Sequence, residues 1–450
     1  MVWQRILIQV PSMVMPTPEN FSRKDLVSLQ EKRFVNLMRI LPQSRFYRDK
    51  FAGVGLNPAG IASLQSLGDL PFTTKSEIIR EMELHPPYGQ FLTEDLSHYC
   101  RQHQTSGTSG RPLRWPDTAQ SWTSLLETWN AFFRMIGLTP SDRLFFPFSF
   151  GPFLGFWTAF EAASRMGCLV FPAGGMSTSA RLKYLLENSP TFVFCTPTYA
   201  LRMIDVARNE GIDLSRSGVK GIVVAGEPGG SIPATRSRIE TGWQARVYDH
   251  CGMTETGPLA MECPQNPGIL HPLESNFIIE VLDPESANPV PPGNEGELVL
   301  TTLHRLGSPL VRYRTGDLVT LGEKPCSCGR SLASFVGGIR GRTDDMVVIR
   351  GNNFHPNALK GVLYRFSELA DYRVEIDRTG TLPVLRVDIE PQTEEMGKDL
   401  AEKIGKAIHD QFLFKAEVNL VPPQSLPRND NVMKSKRFIQ KNNQGSTSRP

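Results

Sequence analysis

The chain has 450 residues, a formal net charge of +3, 40% hydrophobic residues and 21% charged residues. This composition excludes an intrinsically disordered chain, and the length excludes one ordinary core, so two or three domains are expected. Acidic and basic residues are interspersed without a long basic run, which gives no support for nucleic acid or a membrane surface as partner.

Residues 1–15 are interrupted by Gln4, Arg5, Gln9 and Pro11 and do not read as a signal peptide. Residues 24–41 place Leu26, Leu29, Phe34, Leu37, Met38 and Leu41 at helical spacing. Next comes Thr105-Ser106-Gly107-Thr108-Ser109-Gly110, a loop of closely spaced backbone N–H groups and hydroxyls without bulk. Such a loop suits phosphate oxygens, although alone it reads as a flexible connection, and it lacks the Gly-Lys-Ser/Thr of a Walker loop. Residues 118–138 carry the apolar stripe of a core helix: Trp122, Leu125, Leu126, Trp129, Phe132, Phe133 and Ile136.

From about 143 the pattern alternates, with strands at 144–148, 168–172, 191–195, 219–225 and 245–248. Helices fall at 155–166, 179–188, 197–210 and 233–243, the texture of a parallel sheet. The apolar stretch 144–175 carries Glu161 and Arg165 and reads as core or pocket wall, not a membrane span. After 270 come strands at 277–282, 296–302, 310–313 and 318–321, a small β subdomain. Beyond 341 the order is β-α-β-β-α-β: a strand at 346–350, a helix at 356–366, a hairpin of 372–377 with 383–389, a helix at 394–412 and a last strand at 416–421. The expected fold is α/β: an N-terminal domain over 1–343 with mainly parallel sheets and a β subdomain at about 270–340, a small α+β domain over 344–440, and a disordered tail, 441–450.

Four further stretches follow predicted strands or mark the domain junction. Gly226-Glu227-Pro228 and Tyr248-Asp249-His250-Cys251-Gly252-Met253-Thr254-Glu255-Thr256-Gly257 fall at strand carboxyl ends, where open α/β sheets bind ligands. Glu255 suits Mg²⁺ shared with phosphate oxygens. In Arg312-Tyr313-Arg314-Thr315-Gly316-Asp317 a carboxylate on a turn suits ribose hydroxyls, and Gly341-Arg342-Thr343-Asp344-Asp345-Met346 lies at the junction.

In order and spacing these stretches resemble the adenylate-forming superfamily of acyl-CoA ligases, adenylation domains and luciferases. The likeness is best to the phenylacetate–CoA ligase family and covers about 22–440. The resemblance implies that Thr105–Gly110 closes over the β- and γ-phosphates of ATP. It also implies that Gly226, Glu227, Pro228 and Asp249 line the adenine side, with His250, Cys251, Gly252 and Met253 beside the nucleotide. Thr254 would contact the α-phosphate, Glu255 the Mg²⁺ and Asp317 the ribose, while Arg342 would reach the nucleotide from the junction. Asp344 would be the hinge of a mobile C-terminal lid. The family's Lys-x-x-Arg spacing selects Lys434 over Lys436 as the lysine that supports attack on the α-phosphate, where charge builds. Two positions depart from the pattern: Cys251 stands where an aromatic is usual, with Tyr248 as a substitute, and Arg111 stands where Lys is usual.

Cys263, His271, Cys326 and Cys328 form a Cys₃His set suited to structural zinc, with Cys251 as a competing ligand and free buried thiols as the alternative. Seven cysteines, an odd number, point to a reducing compartment, the cytoplasm. In the family the acyl group lies between the loops after strand 144–148 and around 249–254. Here those offer Phe148, Phe150, Phe153, Trp157 and His250, a lining for an aryl acid. The expected activity is ATP- and Mg²⁺-dependent adenylation of an aromatic carboxylic acid, then transfer to a thiol, coenzyme A. Three alternatives stand beside it: transfer to a carrier protein or amine, activation of an oxyanion such as nitrite for N–N bond formation on an aryl amine, and an inactive zinc-stabilised binding protein. The family's habit implies a homodimer.

Overall fold

The computed structural model describes residues 17–105, 112–344, 347–349, 352–354, 356–377, 384–427 and 437–441. Several helices begin where the sequence supplies a capping oxygen. Ser22 accepts from the Asp25 N–H at α1 (Arg23–Ile40) and Ser44 from the Tyr47 N–H at α2 (Arg45–Ala52). Thr74 and Glu77 form a reciprocal capping box on α3 (Lys75–Leu84). β1 (Tyr99–Gln104) and β2 (Arg114–Thr118) form an antiparallel hairpin. Its polar first strand has no apolar alternation, so the sequence did not announce it. Thr118 then caps α4 (Ala119–Met135), which buries the expected aromatic stripe.

The alternating region builds β3 (Arg143–Phe146), α5 (Trp157–Met166), β4 (Leu169–Pro172), α6 (Thr178–Asn188), β5 (Phe192–Cys195), α7 (Pro197–Asn209), β6 (Gly221–Val224), α8 (Pro233–Trp243) and β7 (Arg246–Met253). It continues with β8 (Gly257–Glu262), β9 (Ile269–Pro272), β10 (Phe277–Leu282), β11 (Glu295–Thr302), β12 (Tyr313–Thr320), β13 (Phe335–Val336) and β14 (Gly341–Arg342). The main sheet has eight strands in the order β13-β9-β8-β7-β6-β5-β3-β4, parallel from β4 to β7 and antiparallel from β7 onward. β10, β11, β12 and β14 form the separate antiparallel sheet of the β subdomain.

The C-terminal unit contains β15 (Val347–Ile349), β16 (Asn352–Phe354), α9 (Pro356–Leu363), β17 (Leu369–Asp377), β18 (Val384–Pro391), α10 (Leu400–Phe412), β19 (Glu417–Leu420) and β20 (Phe438–Lys441). β20 joins β17 in parallel, so 416–421 is not the last strand and Lys441 belongs to an element rather than to the expected tail. The apolar cluster around Ile239 and Trp243 of α8 continues into Leu359, Val362 and Leu363 of α9. Among the described residues no helix is long and apolar enough to cross a membrane.

Two expected turns are strand instead. β7 runs through Asp249–Met253, because Gly252 lets its backbone pass within van der Waals reach of the Gly257 carbonyl; a Cβ there would lie 2.8 Å from that oxygen. β12 runs through Arg314–Asp317 by way of an irregularity opposite Glu297–Val299, with Gly316 at φ 76°. Glycines that read as punctuation in the sequence are bulges in the sheet.

Candidate active site

Thr105 closes the β1–β2 hairpin: its N–H donates to the Leu113 carbonyl at 2.9 Å and its Oγ1 accepts from the Leu113 N–H at 3.0 Å. Ser106, Gly107, Thr108, Ser109, Gly110 and Arg111 lie outside the described residues, as do Asp345, Met346 and Lys434.

Just past β6, Gly226 adopts φ 90°, a conformation that glycine takes without a Cβ clash. Glu227 Oε1 accepts from the Thr198 N–H at 2.8 Å and from the Thr198 hydroxyl, so the carboxylate caps α7 and holds the turn. In register with Val224, Asp249 lies on β7. Its Oδ2 accepts from Ser231 Oγ at 2.5 Å, and its N–H donates to Glu262 Oε2 at 3.0 Å. Arg236 pairs with the same Glu262 oxygen. Burial pushes the Asp249 carboxyl up to about 6 and that of Glu262 up to about 7, against the pull of Arg236.

His250 is buried, and burial lowers its imidazole to about 3, so it is neutral. Its ring lies 4.3 Å from that of Trp129 and 5.5 Å from that of Phe132, and its Nδ1 is buried without a partner. Phe148, Phe150 and Trp157 pack edge-on at 5.1 and 4.7 Å, and Phe156 links them to Trp129. Phe153 is half-buried on the same loop. Tyr248, the substitute aromatic for position 251, faces elsewhere: its ring meets Phe192 at 6.4 Å and the Arg246 guanidinium at 5.1 Å.

Thr254 and Glu255 form the turn between β7 and β8. The Thr254 carbonyl accepts from Arg305 Nη1 at 2.5 Å. Glu255 is buried, 3.5 Å from the Tyr313 hydroxyl and 3.8 Å from Lys75 Nζ. Met253 closes β7 opposite Gly257.

Asp317 and Arg342 are register partners on β12 and β14, and Arg342 Nη1 donates to Asp317 Oδ1 at 2.9 Å. Arg342 also reaches both oxygens of exposed Asp344, at 2.8 and 3.2 Å. Burial pushes the Asp317 carboxyl up to about 6, Arg342 opposes that, and Glu255 adds to it. The Cys251 thiol, raised chiefly by burial, is raised further by Asp249 and Asp317. Three carboxylates, Asp249 and Glu255 from one stretch and Asp317 from another, therefore share one region between the main sheet and the β subdomain.

Arg312 and Arg314 of the same stretch serve the scaffold: Arg312 pairs with both oxygens of Glu280 and Arg314 with Glu297. Sequence reasoning missed Asp117, Arg305, Ser231, Glu262 and Lys75, none of which stands in a motif. Only the fold brings them to the site.

Away from the nucleotide region, Cys263, His271, Cys326 and Cys328 place their ligand atoms within 4.8 Å of one another. The Cys263 and Cys326 sulfurs are 3.8 Å apart, Cys328 Sγ is 3.4 Å from His271 Nε2, and His271 Nδ1 is 2.8 Å from the Ala333 carbonyl. Cys251, on β7, is not in this group.

Residues 103–304 match the family described as AMP-binding enzyme, and 351–442 match the AMP-binding enzyme C-terminal domain. The phenylacetate–coenzyme A ligase of Thermus thermophilus is 31% identical over 440 residues, spanning 93% of this chain and 97% of that protein. The chain belongs to the adenylate-forming AMP-binding enzymes, in the phenylacetate–coenzyme A ligase-like group. The protein of that name from Aromatoleum evansii is 28% identical, over 94% of this chain and 98% of its own. Among solved structures, 2-hydroxyisobutyryl-CoA ligase in the postadenylation state with 2-HIB-AMP superposes with a TM-score of 0.89 at 26% identity, covering 96% of this chain and 94% of that one. The same ligase in the thioesterification state, with equal coverage, gives 0.72. Over the whole chain the protein is thus more similar to the postadenylation structure than to the thioesterification one. This adenylate-forming protein is an ATP-dependent, AMP-forming acid–thiol ligase.

Proposed function

We propose that this ligase joins an aromatic carboxylic acid to coenzyme A through an acyl-adenylate. The observation that carries the reading is the convergence of Asp249, Glu255 and Asp317, each buried or half-buried, on one region beside an aromatic-walled one. In the first step an acid oxygen bonds to the α-phosphorus as the bond to the β-phosphate oxygen breaks, releasing pyrophosphate. In the second the coenzyme A sulfur, its thiol proton lost to solvent, bonds to the acyl carbon as the bond from that carbon to the AMP oxygen breaks, releasing AMP.

Asp317 accepts the ribose hydroxyls, and Arg342, its present partner, turns to the nucleotide. Asp249, fixed by Ser231, with Gly226 and Glu227 lines the adenine. Glu255, with Thr254, is suited to hold Mg²⁺, which neutralises phosphate charge when bound. Lys434, by family resemblance, stabilises charge on the α-phosphoryl oxygens. Domain rotation about Asp344 brings the thiol to the adenylate. Phe148, Phe150, Phe153 and Trp157 with His250 and Trp129 line the acyl side, which supports a flat ring.

We also read the Cys₃His group as a structural zinc site. With zinc–sulfur bonds of about 2.3 Å a tetrahedron has sulfur–sulfur edges of about 3.8 Å, matching the Cys263–Cys326 separation. The Ala333 carbonyl fixes His271 with Nε2 toward the thiols.

The test is ATP–pyrophosphate exchange with phenylacetate, benzoate, 2-hydroxyisobutyrate and acetate, with mass detection of the coenzyme A thioester and Lys434→Ala as control. Exchange and thioester with an aryl acid, both lost in the control, are expected. Exchange faster by about tenfold with 2-hydroxyisobutyrate or acetate than with either aryl acid overturns the aromatic assignment.

A further inference from the structure

Lys360 sits in α9 of the C-terminal unit, yet its ammonium is buried against the other unit. Nζ donates at 2.6 Å to the carbonyl of Pro228, in the turn whose first residues are Gly226 and Glu227. That turn is rigid, because the Glu227 carboxylate is committed to the start of α7. Burial pulls the Lys360 ammonium below its usual range, Arg437 adds to this, and Glu227 and Asp249 oppose it. The contact belongs to a seam between the units. Arg238 of α8 stacks on the Tyr364 ring at 5.0 Å and donates to the Leu369 carbonyl at 3.1 Å. Arg208 of α7 donates to Gln392 at 3.0 Å, and Gly361 passes so close to Ile232 that an added Cβ would touch it at 3.7 Å.

An ammonium taken out of water loses hydration, and a backbone carbonyl with a nearby carboxylate returns much of that loss. The balance leaves a directional contact of modest net strength that re-exposure to water can replace. An apolar side chain at this place would adhere without direction, and a free ammonium would not seat the helix at all. The acceptor is one residue from Glu227, so the contact registers the C-terminal unit against the nucleotide-lining turn itself.

We propose that Lys360 is a positioning residue for the adenylation half-reaction, seating α9 on the Gly226–Pro228 turn in the postadenylation-type arrangement and returning to water when the C-terminal unit turns for thioester formation. This rests on the two-step, domain-rotating reading given under the proposed function. Breaking the contact shifts the balance between the two arrangements and so separates the two half-reactions.

The test uses the full chain as Lys360→Met and Lys360→Arg, with Lys360→Gln in place of Met if that variant lacks native far-ultraviolet circular dichroism. Amide hydrogen exchange without substrate is expected to quicken by about fivefold over 227–232 and 359–364 in the Met variant and to stay near wild type in the Arg variant. Unchanged protection in the Met variant overturns the proposal. With phenylacetate as probe, pyrophosphate exchange is expected to fall about tenfold, while thioester formation from synthetic phenylacetyl-adenylate and coenzyme A stays within about twofold. Equal losses in both half-reactions mean a merely structural role and overturn the proposal as well. A wild type inactive in both half-reactions refutes the proposed function instead, and the hydrogen-exchange result then judges Lys360 alone.

Discussion

Arg305 donates from Nε and Nη2 to the two carboxylate oxygens of Asp117, at 2.6 Å each, and neither side chain is exposed. Its remaining nitrogen, Nη1, holds the Thr254 carbonyl, and its guanidinium lies 5.9 Å from the Trp115 ring. The pair thus ties the end of the β1–β2 hairpin to the turn carrying Thr254 and Glu255. Asp117→Ala leaves a buried guanidinium without its counter-charge and is expected to cost about 3–5 kcal/mol in chemical denaturation. Arg305→Lys keeps the charge but loses the fork. We expect it to lose less stability, and to raise the Mg²⁺ concentration needed for half-maximal adenylation by about threefold or more, because the turn is no longer pinned.

Asp317 and Asp249 predict how nucleotide binding responds to pH. Each carboxyl is raised to about 6 by burial and must be ionised to accept a hydroxyl or amino group fully. ATP affinity is expected to weaken by about tenfold for each of the two carboxyls, up to about a hundredfold together, as pH falls from 7 to 5, followed by isothermal titration. Asp317→Asn should bind weakly at both pH values and lose much of that slope. The stability sign is opposite. A carboxyl raised in the folded state releases its proton more readily when unfolded, so these groups lower stability as pH rises from about 4 to about 6, with no further change above.

Gly230 faces the Asp249 carboxylate so closely that an added Cβ would lie 2.6 Å from its Cγ and Oδ1. Gly230→Ala must displace that carboxylate from Ser231. The expected outcome is an ATP dissociation constant raised by about tenfold, with thioester formation from supplied acyl-adenylate less affected. An unchanged ATP affinity in equilibrium dialysis would place Asp249 outside nucleotide binding.

The Cys₃His group predicts about one equivalent of zinc by elemental analysis of protein purified without added metal. Cys328→Ser should lose that metal, and chelator should lower the thermal midpoint of wild type by several degrees while leaving the variant's unchanged. Protein with less than about a tenth of an equivalent and an unchanged midpoint would make these residues plain buried thiols.

The alternating strands and helices of 143–248 were legible because strand and helix periods differ and each element buries one face. The motif carboxylates were legible too, since Gly226, Gly252 and Gly316 mark places where backbone must pass closely or adopt positive φ. Their secondary structure was misread for the same reason. A glycine in a sheet bulge and a glycine in a turn look alike until the partner strand is known, which is how β7 and β12 came to run through their motifs. β20 was missed because its pairing partner, β17, lies far back in the chain.

What the sequence determined by itself is therefore the chemistry on offer: the Ser/Thr/Gly loop, Asp249, Glu255, Asp317, Arg342 and a Cys₃His donor set, all carried by local residue type and spacing. Tertiary structure alone decided which of these meet. Asp317 faces Arg342 because β12 and β14 are neighbours, the zinc-type donors converge because β9, which carries His271, packs beside the loops that carry the cysteines, and Thr254 is pinned by Arg305 from across the site. Lys360, a helix-interior lysine with no local distinction, gained its place only when α9 packed on α8 and brought its ammonium to the Pro228 carbonyl. Burial and partner geometry are sums over residues distant in sequence, so no short window of the chain contains them.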